Sequence, residues 1–309
     1  MRTALPAVPV TQPFAWTLPL PIMVMAFCLL WASAFSVGKM AIADCPPLLF
    51  LAVRFLAAGV LMMGLAAASG LLWTLSKRDV LVFAALGIAN QAVYLGIGFI
   101  ALKTVSAGLA ALIISSNPIL ATVLAVFLLG ERMTWHKVVG LLLGLGGVIL
   151  IVKSRLALGT DQFGGITLSV LALFAFVVGT ILFKLFAPKD GFWIGNAVQS
   201  LAAGIALMPF AVAFESFGDV VPSGRLIAAF AYSVVAVSVF AYLLWFRILA
   251  VSGATAASSY HFLIPPLGML AYRNCAGVSP LPAARSNQRA PSSRLAATPR
   301  PSTKRIATS

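Results

Sequence analysis

Runs of about twenty apolar residues follow one another along almost the whole chain, separated only by short polar links. A helix needs about 20 such residues to cross about 30 Å of hydrocarbon. Runs of that length stand near 22–40, 48–72, 80–102, 105–129 and 135–153, and again near 164–186, 192–213, 225–249 and 253–272. Only 9% of the residues are charged and 61% are hydrophobic, against about 25% charged in a soluble domain. A chain of this kind cannot cover a water-facing surface. The expected fold class is therefore an all-α integral membrane protein with about nine transmembrane helices.

The runs are not independent. The stretch Phe99–Glu131 is partly copied 147 residues later, in Phe246–Tyr272. At that single ungapped offset Phe99 matches Phe246, Leu102 matches Leu249, Ala107 matches Ala254, Ala110 matches Ala257, Pro118 matches Pro265 and Leu120 matches Leu267. Shared apolar residues are cheap in such a chain, but the aligned prolines and the aromatic entry are less so. The match argues for an internal repeat. Five runs fall in the first half, and an odd number per unit makes the second unit enter the membrane from the opposite side. The expectation is an inverted repeat of two helical bundles, with a binding site between them near the midplane.

Four segments result: a lead-in at 1–21, a first repeat of five helices at 22–155, a second of four at 156–272, and a basic tail at 273–309. The lead-in holds Pro6, Pro9, Pro13 and Pro19, too many for a helix. Ala32-Ser33-Ala34 resembles a signal-cleavage site, but an uncleaved first span suits the many spans that follow. The tail, rich in Arg, Ser, Pro and Ala, begins where the repeat demands the rest of a helix and then a further one. A shift of reading frame in the gene is the favoured source of this break, with a disordered basic tail as the rival.

The net charge of +14 is no nucleic-acid signature, because seven of the 21 basic residues lie in that tail and most of the others are spread over links. With a cytoplasmic N-terminus, Arg2, Lys77, Arg78, Arg132, Lys137, Lys184, Lys189 and Arg247 fall inside. Lys39, Lys103, Lys153, Arg155 and Arg225 then fall outside, an excess that favours this orientation. Cys28, Cys45 and Cys275 have no metal or redox spacing, so neither a metal site nor a cofactor is expected. Among the seven acidic residues, Glu215 and Asp219 are nearest in sequence and sit in a polar loop. Paired catalytic carboxylates within the membrane are not expected, and an enzyme is disfavoured.

Several motifs in order now resemble a known family. Leu30-Trp31-Ala32-Ser33-Ala34-Phe35, Pro47 followed by Arg54, Tyr94–Ala110, Asn117-Pro118, Gly130-Glu131-Arg132 and Tyr242–Pro266 resemble the drug/metabolite transporter superfamily, EamA type. The resemblance covers about residues 20–272. It implies ten helices in two five-helix repeats and transport of small metabolites across the bacterial inner membrane. This chain departs from it at the tenth helix. A small-molecule exporter or exchanger is the expectation, and a non-transporting remnant of one is the alternative.

Candidate substrate-binding residues are Trp31, Arg54, Asn90, Gln91, Tyr94, Asn117, Tyr260 and His261, with Pro118 and Pro265 as kinks or gates. A charge at mid-membrane costs about 2.5–3.5 kcal/mol on insertion scales. Arg54 is therefore either a cavity cation for an anionic substrate group or a side chain that reaches the headgroups or a neighbouring helix. Pro118 frees the carbonyl of Ile114, and Ser115, Ser116 and Asn117 can satisfy it, either as a plain kink or at a gate. Trp31 suits a cavity or an interface; Asn90, Gln91 and Tyr94 offer amide and aromatic groups. His261 is a packed polar residue or a proton relay, and Glu131 a helix end or a proton-coupling group. Gly140 and Gly144 have spacing that permits close helix approach, within the protomer or in a homodimer. The other partners expected are the lipid bilayer and the small-molecule substrate.

Overall fold

The computed structural model describes residues 18–68, 75–129, 135–157, 159, 161–188 and 191–264. Every regular element among them is helical. Helix α1 is Leu20–Ala41 and α2 is Pro47–Ala68. Helix α3 runs over Lys77–Gly87, widens into a π-helix at Ile88–Val93 and returns to α geometry at Tyr94–Ala101. Helix α4 comes in two pieces, Ala107–Ser115 and Asn117–Leu129. Then follow α5 (Trp135–Ala157), α6 (Phe163–Phe186) and α7 (Phe192–Phe214). Helix α8 starts at Gly224–Tyr232, passes through a π-helix at Ser233–Ala241 and continues as Tyr242–Ser259, ending in a 3-10 turn at Tyr260–Leu263.

Seven of these stretches are long and apolar enough to span a bilayer: α1, α2, α3, α4, α6, α7 and Gly224–Leu249 of α8. Helix α5 carries a shorter apolar core at Val138–Leu150. The protein is thus an all-α multi-pass membrane protein. The expected link between an eighth and a ninth helix, near Ala250–Ser252, has helical backbone. Yet the His261 ring lies 4.9 Å from that of Trp245, sixteen residues earlier. A straight helix would separate them by about 24 Å, so the chain folds back between the two. The expected end of that run at 272, Pro265, the basic tail and Glu131 lie outside the described residues.

Local chemistry sets the helix ends. Ser76 and Asp79 form a reciprocal capping box at the start of α3, while Ser106 and Ser223 accept from the backbone N–H groups of Leu109 and Leu226. The Glu215 carboxylate accepts from the Leu48 and Leu49 amides at 3.0 and 2.7 Å. This places a negative charge on the positive end of α2. Pro118 ends one helical piece and begins the next. The break falls at Ser116, and Ser115 and Ser116 donate their hydroxyls to the Ala111 and Leu112 carbonyls.

Helices α2 and α7 are antiparallel. The start of α2 meets Glu215 beyond the end of α7, and Met62 near its end accepts from the Trp193 indole at 3.1 Å. Their crossing is reciprocal. A Cβ on Gly59 would lie 2.6 Å from Leu201 Cγ, and one on Gly204 would lie 2.7 Å from Leu56 Cγ. Leu56 and Gly59 thus correspond to Leu201 and Gly204, as a pseudo-two-fold axis in the membrane plane requires. The two π-helices correspond as well: shifted by 147, Ile88–Val93 falls inside Ser233–Ala241.

The links at one end of the bundle are tied together. Arg225 forms a two-point ion pair with Asp44, which also accepts from the Ser223 hydroxyl at 2.6 Å. The Val221 N–H donates to the Asp44 carbonyl at 2.8 Å. Lys39 donates to the carbonyls of Leu102 and Val105, Gln162 N–H to that of Thr104, and Ser106 N–H to the Asp161 carboxylate. The bonds from Arg225 and then from Ser223 hold the Asp44 carboxyl below the usual carboxylate range. A depressed folded value means that the carboxylate stabilises the fold above the ordinary carboxylate pKa of about 4 and stops doing so as pH falls through the depressed value. The midpoint of thermal unfolding in detergent should therefore drop as pH falls below about 4. Asp44→Asn should lower it at neutral pH and remove part of the acid sensitivity; a variant whose midpoint matches the wild type at both pH values would refute this contribution.

Candidate functional site

Arg54 is 2% exposed, two turns into α2, and its Nε donates to the Ser238 hydroxyl at 2.9 Å in the π-helix of α8. It does not extend to the headgroups but faces a cavity. Its guanidinium carbon lies 5.3 Å from the Phe55 ring centroid. Arg54 lines this narrow cavity with Trp31 and Phe35 of α1, Tyr94 and Phe99 of α3, and Val237 and Tyr242 of α8. The space open to water-sized centres is ≈ 30 Å³, enough for about two waters, at roughly 10–15 Å³ each. The site is closed down around its polar groups.

An aromatic box adjoins it. The Trp31 ring lies 5.2 Å from Phe27, 5.5 Å from Tyr242, and 6.1 Å from both Phe176 and His261. Tyr94 stacks on Phe176 at 4.6 Å. His261 is fully buried among these rings. Trp31 is thus a cavity residue and not an interface anchor.

A polar chain crosses the bundle beside the cavity. Gln91 donates to Asn196 Oδ1 at 3.4 Å, and Asn196 Nδ2 donates to the Ser238 carbonyl at 2.9 Å. Ser238 in turn takes Arg54, so four helices (α3, α7, α8 and α2) join through one network. Both π-helices supply its members, because a π turn leaves backbone and side-chain groups free to turn outward to partners. Asn90, also in the first π-helix, donates to the Gly179 carbonyl of α6 at 3.2 Å.

The structure therefore brings Trp31, Arg54, Gln91, Tyr94 and His261 into one neighbourhood. Asn117 is fully buried but does not line the cavity, and neither of its amide atoms has a hydrogen-bond partner among the described residues. The Tyr260 side chain is half-buried, and its carbonyl accepts from the Cys28 thiol at 3.4 Å. Gly140 has nothing within 4 Å of a Cβ position, so its face meets no second helix of the described chain. No group of metal-binding side chains occurs among the described residues.

Sequence reasoning missed Asn196, Ser238, Tyr242 and Trp245. Asn196, Gln199 and Ser200 have i, i+3, i+4 spacing in an otherwise apolar helix, a polar stripe facing inward. Tyr94 and Tyr242 each begin the α-helix that follows a π-helix. They stand 148 residues apart, one more than the ungapped offset, so a comparison without gaps does not pair them.

A many-helix membrane bundle with antiparallel related helices and an aromatic, polar-centred cavity has the architecture of a membrane carrier. Residues 19–153 match the EamA-like transporter family. Over 244 residues, 79% of each chain, the sequence is 27% identical to the uncharacterized transporter YvbV of Bacillus subtilis (strain 168). Over 263 residues, 83% of each chain, it is 28% identical to the uncharacterized inner membrane transporter YedA of Escherichia coli (strain K12). A crystal structure with 21% sequence identity superposes with a TM-score of 0.64, covering 85% of this chain and 90% of the other, which bears on the fold alone. The first part of the chain is thus similar to the EamA-like transporter family, and most of its length is similar to proteins named as transporters.

Proposed function

We propose that the chain is a secondary transporter of the bacterial inner membrane that exports or exchanges small metabolites, with its N-terminus in the cytoplasm. The cavity between α1, α2, α3 and α8 is its substrate site. The observation that carries this reading is Arg54, a buried cation held at the centre of an aromatic cavity by a network that crosses both halves. Trp31 and Tyr94 pack the substrate body, while Asn90, Gln91 and His261 shape the wall behind. Asn117, Pro118 and Tyr260 belong to the moving surround, the break in α4 and the turn after α8, and Pro265 has the matching gate role. With room for only about two waters, the site must widen to load.

Purified protein reconstituted in vesicles of Escherichia coli polar lipid should show saturable uptake of at least one radiolabelled metabolite from a mixed panel. Arg54→Leu combined with Asn117→Leu should lower that uptake by about tenfold or more, the scale of one lost charge-assisted contact. Uptake that never saturates, or is unchanged in the double variant, would sink this assignment. The first of these results would favour the alternative, a non-transporting remnant of such a transporter. An alkaline phosphatase reporter placed at 42–46 should be active, because that link is then periplasmic.

A further inference from the structure

We infer that the substrate is a compact aromatic or apolar molecule bearing a single carboxylate and no ammonium group. This rests on the cavity being the substrate site and goes on to its chemistry. Two of the groups that meet there can only donate, while the Tyr94 and Tyr242 hydroxyls both donate and accept. Arg54 presents a guanidinium, which only donates, and Trp31 presents an indole N–H, which also only donates. The Trp31 Nε1 and the Tyr242 hydroxyl are buried with no hydrogen-bond partner among the described residues. Two donor-only groups, one of them with a fixed positive charge, beside a hydroxyl that can also donate ask for an acceptor with a negative charge, and guanidinium and carboxylate match as paired donors and acceptors.

Among the described residues no carboxylate supplies that acceptor. Of the described acidic residues, Asp44 pairs with Arg225, Asp79 closes a capping box, Asp161 takes the Ser106 amide, and Glu215 caps α2. Asp219 lies in the exposed turn after α7. All five stand in links or at helix ends, and none pairs with Arg54. A substrate ammonium would meet Arg54 with no anion beside it to offset the repulsion, so amines and zwitterions are disfavoured. Among the remaining walls, Phe35, Phe99, Tyr94 and Trp31 present flat rings suited to an aromatic body, and Ala34, Leu95 and Val237 add apolar surface.

The test uses the full chain purified in detergent and four matched probes: phenylacetate, phenylacetamide, phenethylamine and phenylalanine. Binding is read by tryptophan fluorescence and by the shift in thermal unfolding. Phenylacetate should bind about tenfold or more tightly than phenylacetamide, with phenylalanine weaker than phenylacetate and phenethylamine weakest. Arg54→Met, which keeps the volume and removes the charge, should abolish the preference. Arg54→Lys should keep its order with weaker affinity. The inference is overturned if the amide or amine binds as tightly as phenylacetate, if phenylacetate does not bind the wild type, or if Arg54→Met retains the preference. Should the variants fail to fold, the wild-type order alone decides. Carboxylate preference without saturable transport would remove the transport reading and leave this one standing. Saturable transport of amines or neutral compounds would do the reverse.

Discussion

Alanine at Gly87 should cost the folded protein more than alanine at any other described glycine of the bundle. A Cβ at that position would lie 2.3 Å from the carbonyl oxygen of Gln199 and 2.5 Å from its Cα. Both are backbone atoms, so no side chain can swing aside, and α3 must move off α7. Overpacking costs about 1–3 kcal/mol where side chains can adjust; the upper end or beyond is expected at Gly87. The same substitution at Gly64 of α2, where a Cβ meets nothing within 4 Å, is the control and should gain up to about 1 kcal/mol from helix propensity. Thermal unfolding in detergent should separate the two variants by several degrees, with Gly87→Ala the lower. If both melt with the wild type, the close packing of α3 on α7 is absent from the protein in solution.

The second large effect is expected from Trp31→Ala. The indole touches rings from α1, α6, α8 and the turn after α8, so its removal opens a hole where four segments meet. Truncating a buried Trp to Ala costs about 3–5 kcal/mol. It also removes a cavity wall, so both the unfolding midpoint and substrate uptake should fall. Trp31→Phe separates the two effects: it should recover most of the stability, while uptake stays impaired because the N–H donor is gone. Full uptake by Trp31→Phe would reduce the residue to packing.

Much of the fold was legible because membrane burial writes itself in one dimension. A run of apolar residues long enough to span is visible without knowing its neighbours, and the runs at 22–40, 164–186 and 192–213 closely match α1, α6 and α7. Arg54 and Trp31 stood out for the same reason, as residues costly or unusual at their depth. What the sequence hid depends on partners. A π-helix is stabilised by partners on neighbouring helices, as when Asn196 donates to the Ser238 carbonyl, and no local propensity announces it. The link expected near Ala250–Ser252, between the runs at 225–249 and 253–272, has helical backbone, and yet the chain folds back there. The tie between Asp44, Ser223 and Arg225 joins residues about 180 apart, and neither end of it carries a local signal.

The crossing of α2 and α7 has a mechanical consequence. Two leucines rest on two glycines, with only hydrogen atoms where side chains would otherwise interlock. Such a joint resists sliding along either helix and offers little resistance to a small change of angle. The Asp44–Arg225 tie lies beyond one side of it, and the contact between Leu75 and Gly191 beyond the other. Under the proposed transport function the crossing would serve as a fulcrum: a tilt that parts the helices at one surface would press them together at the opposite one, and a seesaw of this form could not stand open at both ends.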